Sequence, residues 1–211
     1  MTTQTVSMGV KGAIAARHSV RTFAKAPLDQ AEISELLEAA RNAPSSLNSQ
    51  PWRFKVVTKP ADIAWFGTSE ASRKQAWLAG AAAIILCCAD LEHYVKDSQA
   101  SAFFFRENKL IEGEPMDGIE AYVAREAVAA EQAKFGACAM NVGIAVGFLM
   151  LRAVEMGLGT CWVGMFDEAA IRARFALPAG LRLVNLLAVG RPDEPGVSPR
   201  KRKSLKEIVI D

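Results

Sequence analysis

The sequence predicts an α+β fold with a small sheet and many helices. Four short apolar segments rich in β-branched residues are typical of strands, and they occupy residues 53–58, 81–89, 157–166 and 181–190. Between them, apolar residues recur at a spacing of three and four, which is typical of helices. Neither a GxGxxG after the first strand nor a GxxxxGK[ST] occurs. The sequence therefore does not support a Rossmann or P-loop nucleotide site.

The first helices are recognised by their ends. Residues 8–17 are rich in Ala and suit a short helix. Asp29 is a candidate N-cap because Glu32 follows three residues later, which is the pattern of a capping box. The helix that begins there should end by Pro44. Two further short helices are predicted at residues 60–66 and 71–79.

The middle of the chain predicts a helix over residues 92–110, with Phe103, Phe104 and Phe105 at its core. Three consecutive residues cannot share one side of a helix, so at least one of these rings should be exposed or meet a partner or ligand. Residues 113–118, GEPMDG, are expected to form a loop.

A long helical pattern follows over residues 119–156, with a break expected near Gly136. Gly143 and Gly147 lie four residues apart on one face, which would let another backbone come close. The apolar stretch over 138–151 predicts a helix that is buried on nearly all sides. We expect no transmembrane helix, because this stretch and residues 79–89 are too short to span a bilayer.

The end of the chain predicts a short helix capped by Asp167, the strand over 181–190, and an extended segment over 204–211. No repeat or low-complexity linker divides the sequence. Its 211 residues and 51% hydrophobic content suit one domain with a real core. We therefore expect a single domain over residues 1–211.

Charge and cysteine usage exclude several classes of protein. The formal net charge of +2 gives no case for nucleic acid as a partner. The four cysteines form no CxxC pair, and with only two histidines they make no metal-ligand cluster of recognised spacing. Cys87 and Cys88 lie in a strand, so they should point to opposite faces as small core residues. We expect a reduced, cytosolic protein without a bound metal.

Three polar segments are candidates for a binding site. In the first, Arg17, His18, Ser19 and Arg21 follow a helix and could grip a phosphate, although arginines in turns are often only solvated. In the second, an uncharged loop offers hydroxyls and amides that suit a neutral heterocycle, or it only satisfies its own backbone. In the third, a basic run is either a phosphate clamp or a solvated tail. The loop contains Pro44, Ser45, Ser46, Asn48 and Gln50, and the run contains Arg200, Lys201, Arg202 and Lys203.

The order of four motifs strengthens these candidates. RHSVRTF (17–23), APSSLNSQPWRF (43–54), GLGTCWVGMFDE (157–168) and a late GRP with a basic tail follow one another. Together they resemble the nitroreductase family of FMN-dependent oxidoreductases, over nearly the whole chain. The PSSxNxQPW loop is the most specific of them. Residues from about 91 to 136 fall in a helical arm that varies among family members.

The resemblance implies a nitroreductase-like α+β fold with a small, mostly antiparallel central sheet flanked by helices. It also implies an interlocked homodimer that is built on long central helices, in which each C-terminal tail reaches over to its partner. The apolar helix that carries Gly143 and Gly147 agrees with this, because it needs a partner to cover it. The tail over 204–211 ends in an apolar run that also needs burial.

The resemblance further implies an FMN site at the dimer interface. Arg17, His18, Ser19 and Arg21 would hold the phosphate and ribityl chain, and either Arg200 or Arg202 would complete the phosphate clamp. The flavin ring would be lined from the other subunit by Pro44, Ser45, Ser46, Asn48 and Gln50. One ring edge would run along Trp162, Val163, Gly164 and Met165, and Gln75 is a candidate for its pyrimidine side. Several family members carry an acidic residue and then Gly where this chain has Gly164 and Met165.

The activity implied is a ping-pong reduction. NADH or NADPH would pass hydride to flavin N5, and a nitroaromatic, a quinone or a related small-molecule electron acceptor would then be reduced. The cofactor carries this chemistry, so no catalytic side chain is assigned. Two alternatives remain open: another flavin reaction on the same fold, such as reductive dehalogenation, ring oxidation or flavin turnover, or a non-catalytic flavin-binding dimer.

Overall fold

Four antiparallel strands form the centre of the protein. The computed structural model describes residues 8–193 and 201–210, so Arg200 lies outside the described residues. The strand order is β1-β2-β4-β3, which makes β1 and β3 the edges of the sheet. The strands are β1 (Trp52–Val57), β2 (Ala83–Asp90), β3 (Gly159–Val163) and β4 (Leu181–Gly190). The predicted antiparallel sheet is confirmed.

Helices surround this sheet, and the described residues contain eight of them. They are α1 (Val10–Ala16), α2 (Gln30–Arg41), α3 (Pro60–Phe66), α4 (Ser69–Ser72), α5 (Leu91–Glu107), α6 (Glu114–Val128), α7 (Glu131–Glu155) and α8 (Glu168–Phe175). Short 3₁₀ turns occupy Ser46–Asn48, Ala76–Gly80 and Leu205–Glu207. The α+β prediction and its order of elements are confirmed.

Two predicted helix starts are confirmed by their hydrogen bonds. The backbone N–H of Glu32 donates to the Asp29 carboxylate at 2.7 Å, and Glu32 accepts from the Asp29 N–H at 3.0 Å. This is the capping box expected from the sequence. Asp167 likewise accepts from the N–H of Ala170 at 2.9 Å and caps α8. Each aspartate satisfies a donor that the first turn of a helix leaves unpaired.

Three boundaries differ from the prediction. The expected helix over 71–79 is interrupted after Ser72, because Arg73 and Lys74 adopt left-handed conformations with φ of 54° and 64°. The expected loop over 113–118 is instead the start of α6, whose first turn contains Pro115 and so tolerates the missing N–H. The break expected near Gly136 lies earlier, at Ala129 and Ala130, which both have extended backbone.

Helix α7 packs across one face of the sheet and against α2. One side of it is buried with β2 and β4, while Met140, Ile144 and Phe148 are exposed. Within one chain the helix is therefore buried on one side, and the expected burial on nearly all sides is not reached by this chain alone. The helix has 25 residues, so by length and composition it could cross a membrane, contrary to the prediction. Within the fold, 44% of its most apolar window is buried, because one side of the helix packs on the sheet.

The two faces of the sheet bury separate clusters. Ile85, Cys87 and Leu187 face α7, whereas Leu86 and Cys88 face the side covered by α3 and α8. The prediction that the two cysteines point to opposite faces is confirmed. Burial raises the pKa of the Cys88 thiol to about 12, so it is a neutral core group.

Two exposed features carry apolar side chains. Phe103 and Phe104 on α5 are 66% and 54% exposed, so the prediction of a phenylalanine core is wrong for both, and the expectation of at least one exposed ring is confirmed. Phe105 is partly buried against α6. The tail over 201–210 is exposed, and it contains a 3₁₀ turn at Leu205–Glu207 instead of being extended throughout.

Candidate active site

The arginine turn is docked on the edge strand β3. Ser19 forms a parallel bridge with Thr160, and the N–H of Val20 donates to the Thr160 carbonyl at 3.0 Å. Gly159 makes this close approach possible, since a Cβ at that position would lie 2.6 Å from a methyl carbon of Val20. Arg17 and Arg21 flank the docked residues. The sequence thus places two arginines beside the start of one strand.

Buried polar atoms without a partner lie in this region. The Nδ1 atom of His18 is 3.0 Å from the Ala16 carbonyl, but its Nε2 atom is buried and has no hydrogen-bond partner among the described residues. The Oγ1 atom of Thr160 is also buried and has no hydrogen-bond partner among the described residues. Such groups usually bind a ligand or an ordered water. The turn therefore has the chemistry of a binding site.

The arginines also set the local potential. Burial raises the pKa of the Cys161 thiol, while the charge of Arg21, a hydrogen bond from Ser19 and the charge of Arg17 oppose that rise. The guanidinium of Arg21 lies over the Trp77 ring, 5.7 Å from its centroid, within the range of a cation–π interaction. The surface beside β3 is thus electropositive and suited to an anionic group.

The end of β3 joins this region through Gln75. Its Nε2 atom donates to the Met165 carbonyl at 2.7 Å and to the Ser72 carbonyl at 3.1 Å. Val163 is only 2% exposed, so its side chain belongs to the core, whereas Trp162, Gly164 and Met165 are exposed. The exposed backbone after the last paired residue of β3 is therefore available to a ligand.

The uncharged loop is held by α7 and by its own side chains. The N–H of Ser46 donates to the Asn141 side chain at 2.9 Å, and the N–H of Gln50 donates to the Ser45 hydroxyl at 3.0 Å. Asn48 and Gln50 have φ of 51° and 42°, in the left-handed region that non-glycine residues rarely adopt. Pro44 and Asn48 are exposed. The loop keeps an unfavourable backbone and still presents polar side chains, which is typical of functional segments.

The loop and the arginine turn lie far apart within one chain. The loop leads into β1 and the turn docks on β3, at opposite edges of the sheet. With neighbouring strands about 4.8 Å apart, the two edges are separated by about 14 Å. They also lie at opposite ends, because Pro51 bonds to Asp90 at the end of β2, while Thr160 pairs with Val189 opposite the start of β2.

The structure thus brings together some of the predicted residues and separates others. Those gathered around β3 are Arg17, His18, Ser19, Arg21, Gln75, Trp162, Val163, Gly164 and Met165. Those placed on the loop are Pro44, Ser45, Ser46, Asn48 and Gln50. Arg202 is exposed in the described part of the tail, and Arg200 lies outside the described residues.

Three residues of the region escaped sequence reasoning. Thr160 and Trp77 carry no local signal, because only the docking of distant segments brings them to the arginine turn. Asn141 was detectable in principle, since it is a buried amide in an otherwise apolar helix, where a polar residue needs a specific partner. Its partner is the Ser46 N–H of the loop.

Comparison with known proteins agrees with this geometry. The model of the nitroreductase family matches residues 14–191, which include the arginine turn, the loop and all four strands. The chain belongs to the nitroreductase family. A relative from Thermus thermophilus, named NADH dehydrogenase, is 31% identical over 204 residues, covering 96% of this chain and 96% of the relative.

Solved structures of nitroreductases share the fold. A nitroreductase family protein of Streptococcus pneumoniae has a TM-score of 0.77 at 24% identity, and the match covers 96% of this chain and 100% of that one. A protein of Exiguobacterium sibiricum, assigned as a nitroreductase and solved in complex with FMN, also has a TM-score of 0.77 at 24% identity. That match covers 99% of both chains. The protein therefore has the fold of a family of oxidoreductases.

Proposed function

We propose that this protein is an FMN-dependent oxidoreductase that acts as a homodimer. It would transfer hydride from NADH or NADPH, through N5 of the flavin, to a nitroaromatic, a quinone or a related acceptor in a ping-pong cycle. The observation that carries the proposal is the separation of the arginine turn from the polar loop by the full width of the sheet. Because the two segments lie at opposite ends of the sheet as well as at opposite edges, a second copy of the chain would bring its loop to the arginine turn of the first.

The residues around β3 fit one end of FMN. Arg17 and Arg21 supply positive charge for a phosphate. The buried His18 Nε2 and Thr160 Oγ1 atoms, which bond to no other described residue, supply polar contacts. Arg202 and Arg200, on the basic tail, would add charge to the same phosphate. The N–H groups of the exposed 164–165 backbone would donate to one edge of the ring.

The loop fits the other side of the ring. Ser45, Ser46, Asn48 and Gln50 offer hydroxyls and amides without charge, which suits a neutral heterocycle with carbonyls and ring nitrogens. When bound, FMN supplies the two-electron redox chemistry that this chain's side chains lack. The chain's own part is to hold the ring, to place donors at its edges and to leave one face open to substrates.

An exposed apolar surface supports the homodimer. Met140, Ile144 and Phe148 line the outer face of α7, and nothing lies within 4 Å of a Cβ built at Gly143 or Gly147. A patch of this kind on a long helix is typical of a protein interface. In the proposed dimer, a second copy covers this face and its loop reaches the cofactor of its neighbour.

The test is a visible spectrum followed by anaerobic reduction. We expect a yellow dimer whose flavin bands bleach with NADH or NADPH and recover with a quinone or nitroaromatic. Sedimentation measures the oligomeric state of the same sample. A colourless protein that binds no FMN would refute the proposal. A yellow protein that neither nucleotide bleaches would instead be a flavin carrier, and turnover only with halogenated or other ring substrates would assign a different flavin reaction.

A further inference from the structure

A polar cavity lies between the loop and α5, away from the arginine turn. Its volume is about 420 Å³, and its polar lining residues are Asn48, Ser49, Gln50, Arg53, Asp97 and Ser101. Two of these, Asn48 and Gln50, are also expected to line the flavin ring in the proposed dimer. The cavity therefore adjoins the place where a reduced nicotinamide would meet the flavin.

Ser49 points to a ligand in this cavity. The residue is 1% exposed, and its hydroxyl has no hydrogen-bond partner among the described residues. A buried hydroxyl without a partner destabilises the fold, so it persists where something else uses it. The neighbouring Ser101 hydroxyl and the amides of Asn48 and Gln50 add donors and acceptors. This set of groups suits a ligand that is rich in hydroxyls.

The charge of the cavity comes from Asp97. Arg53 donates to the Gln50 and Trp52 carbonyls and pairs with the buried Asp90 at 3.1 Å, so its charge is compensated. Lys96, next to Asp97 in sequence, pairs with Glu92 at 2.6 Å. Within residues 8–193 and 201–210, the Asp97 carboxylate has no cation within 4.0 Å. Asp97 thus brings to the cavity a negative charge that forms no direct ion pair within the described residues, and it interacts with Lys96 only at longer range.

We propose that this cavity binds the adenosine ribose of NADH and that Asp97 makes the enzyme select NADH over NADPH. A carboxylate accepts a hydrogen bond from the 2′-hydroxyl of a ribose, whereas it repels the 2′-phosphate of NADPH. Ser49 and Ser101 offer hydroxyls to the same sugar. The assignment rests on the proposed function, because the nicotinamide must reach a flavin beside Asn48 and Gln50.

The test compares kcat/KM for NADH and NADPH on the FMN-loaded protein. In Asp97→Asn we expect the preference for NADH to fall roughly five- to tenfold, mainly through better use of NADPH, because a unit charge near a phosphate contributes on this order. Asp97→Glu retains the charge and should retain most of the preference. Glu107→Gln removes one exposed charge from the same helix outside the cavity, and it should leave the ratio unchanged.

Two further measurements distinguish contacts to the adenosine ribose from a general effect of the substitutions on flavin reduction. Reduced nicotinamide mononucleotide lacks the adenosine half of NADH. Its kcat/KM should therefore be the same in Asp97→Asn as in the wild type. Ser49→Ala should raise the KM for NADH severalfold, while flavin loading stays complete and the melting temperature is unchanged or higher. An effect of Asp97→Asn on the mononucleotide as large as on NADH would overturn the ribose assignment.

The proposal and the function it rests on can fail separately. A wild-type protein that remains colourless with FMN refutes the proposed function and this site with it. Two outcomes would refute only the assignment of the cavity. One is a yellow, active wild type that prefers NADPH. The other is a ratio of kcat/KM for NADH to that for NADPH that is the same in Asp97→Asn as in the wild type.

Discussion

Gln75 donates a 2.7 Å hydrogen bond to the carbonyl of Met165, which lies 90 residues later in the chain. The bond ties the segment after α4 to the end of β3. The same Nε2 atom also donates to the Ser72 carbonyl, so the amide bridges two backbone segments. The sequence pointed to Gln75 and Met165 as flavin contacts separately, and the structure makes them one unit.

Replacing Gln75 should therefore weaken flavin binding through the position of Met165. We expect Gln75→Ala to raise the Kd for FMN about fivefold, since a hydrogen bond of this kind contributes about 1 kcal/mol. Gln75→Glu should be worse, because a carboxylate cannot donate to the carbonyl. Fluorescence titration of FMN measures both. The control is Gln132→Ala, which changes an exposed amide in the first turn of α7. Equal affinities in all three variants would contradict the bridge.

Trp77 should act on the flavin through Arg21. The Arg21 guanidinium lies 5.7 Å from the Trp77 ring centroid, and a cation–π contact contributes about 0.5–1 kcal/mol at an exposed site. We expect Trp77→Ala to weaken FMN binding about threefold and Trp77→Phe to restore most of it. In a protein that already carries Arg21→Ala, adding Trp77→Ala should weaken FMN binding little further.

A matched control exists for Trp77 elsewhere in the fold. Arg174 lies over the Trp65 ring at 4.7 Å, in a contact between α3 and α8. Trp65→Ala should lower the melting temperature and leave the affinity for FMN unchanged. If both tryptophan variants weakened FMN binding equally, the effect would be one of general stability and not of the position of Arg21.

Mixing two variants tests whether each FMN site takes its arginine turn from one subunit and its polar loop from the other. Asn48→Ala damages the loop and Arg21→Ala damages the turn, and each should weaken FMN binding in a dimer that still forms. A mixed dimer in a shared-site arrangement contains one site with an intact turn and an intact loop. Random exchange between equal amounts of the two purified variants makes about half of the dimers mixed, so it should restore about a quarter of all the tight sites. If each site came from one chain, no site in the mixed dimer would be intact.

The exposed face of α7 should control assembly and flavin binding together. Ile144→Glu would bury two carboxylates in the proposed interface, and each unpaired buried charge costs several kcal/mol. We expect monomers in sedimentation and loss of bound FMN. The control Val128→Glu changes another exposed apolar residue, at the end of α6. A yellow dimer of Ile144→Glu would place the interface elsewhere.

The thiols should be inert in the folded protein. Burial raises the pKa of Cys88 and of Cys138 to about 12, so neither forms a thiolate near neutral pH. We expect no reaction with an aromatic disulfide reagent at pH 8 until denaturant is added. The unfolded thiols ionise from about 9, so the stability linked to these groups is present below pH 9 and is lost as the pH rises toward 12. Rapid labelling of the native protein would contradict the buried placement.

Much of the fold could be predicted because its signals are local. The capping box of Asp29 and Glu32 and the continuous apolar run of the buried strand β2 depend on residues that are neighbours in the sequence. The arginine turn, the loop and the strand at Trp162 were recognised as motifs in the same way. The loop expected at 113–118 was wrong because Gly and Pro normally break helices, whereas here they open one.

The sequence by itself determined which segments carry polar groups suited to a flavin and that α7 is too apolar for an ordinary surface helix. Only the tertiary structure decided that the loop and the arginine turn lie at opposite edges of the sheet, because strand order is set by long-range pairing. It also decided that Ser49 is buried beside Asp97 and that its hydroxyl has no hydrogen-bond partner in the part of the chain that the structure describes. Packing of α5 against the loop creates that cavity, and no local pattern records it.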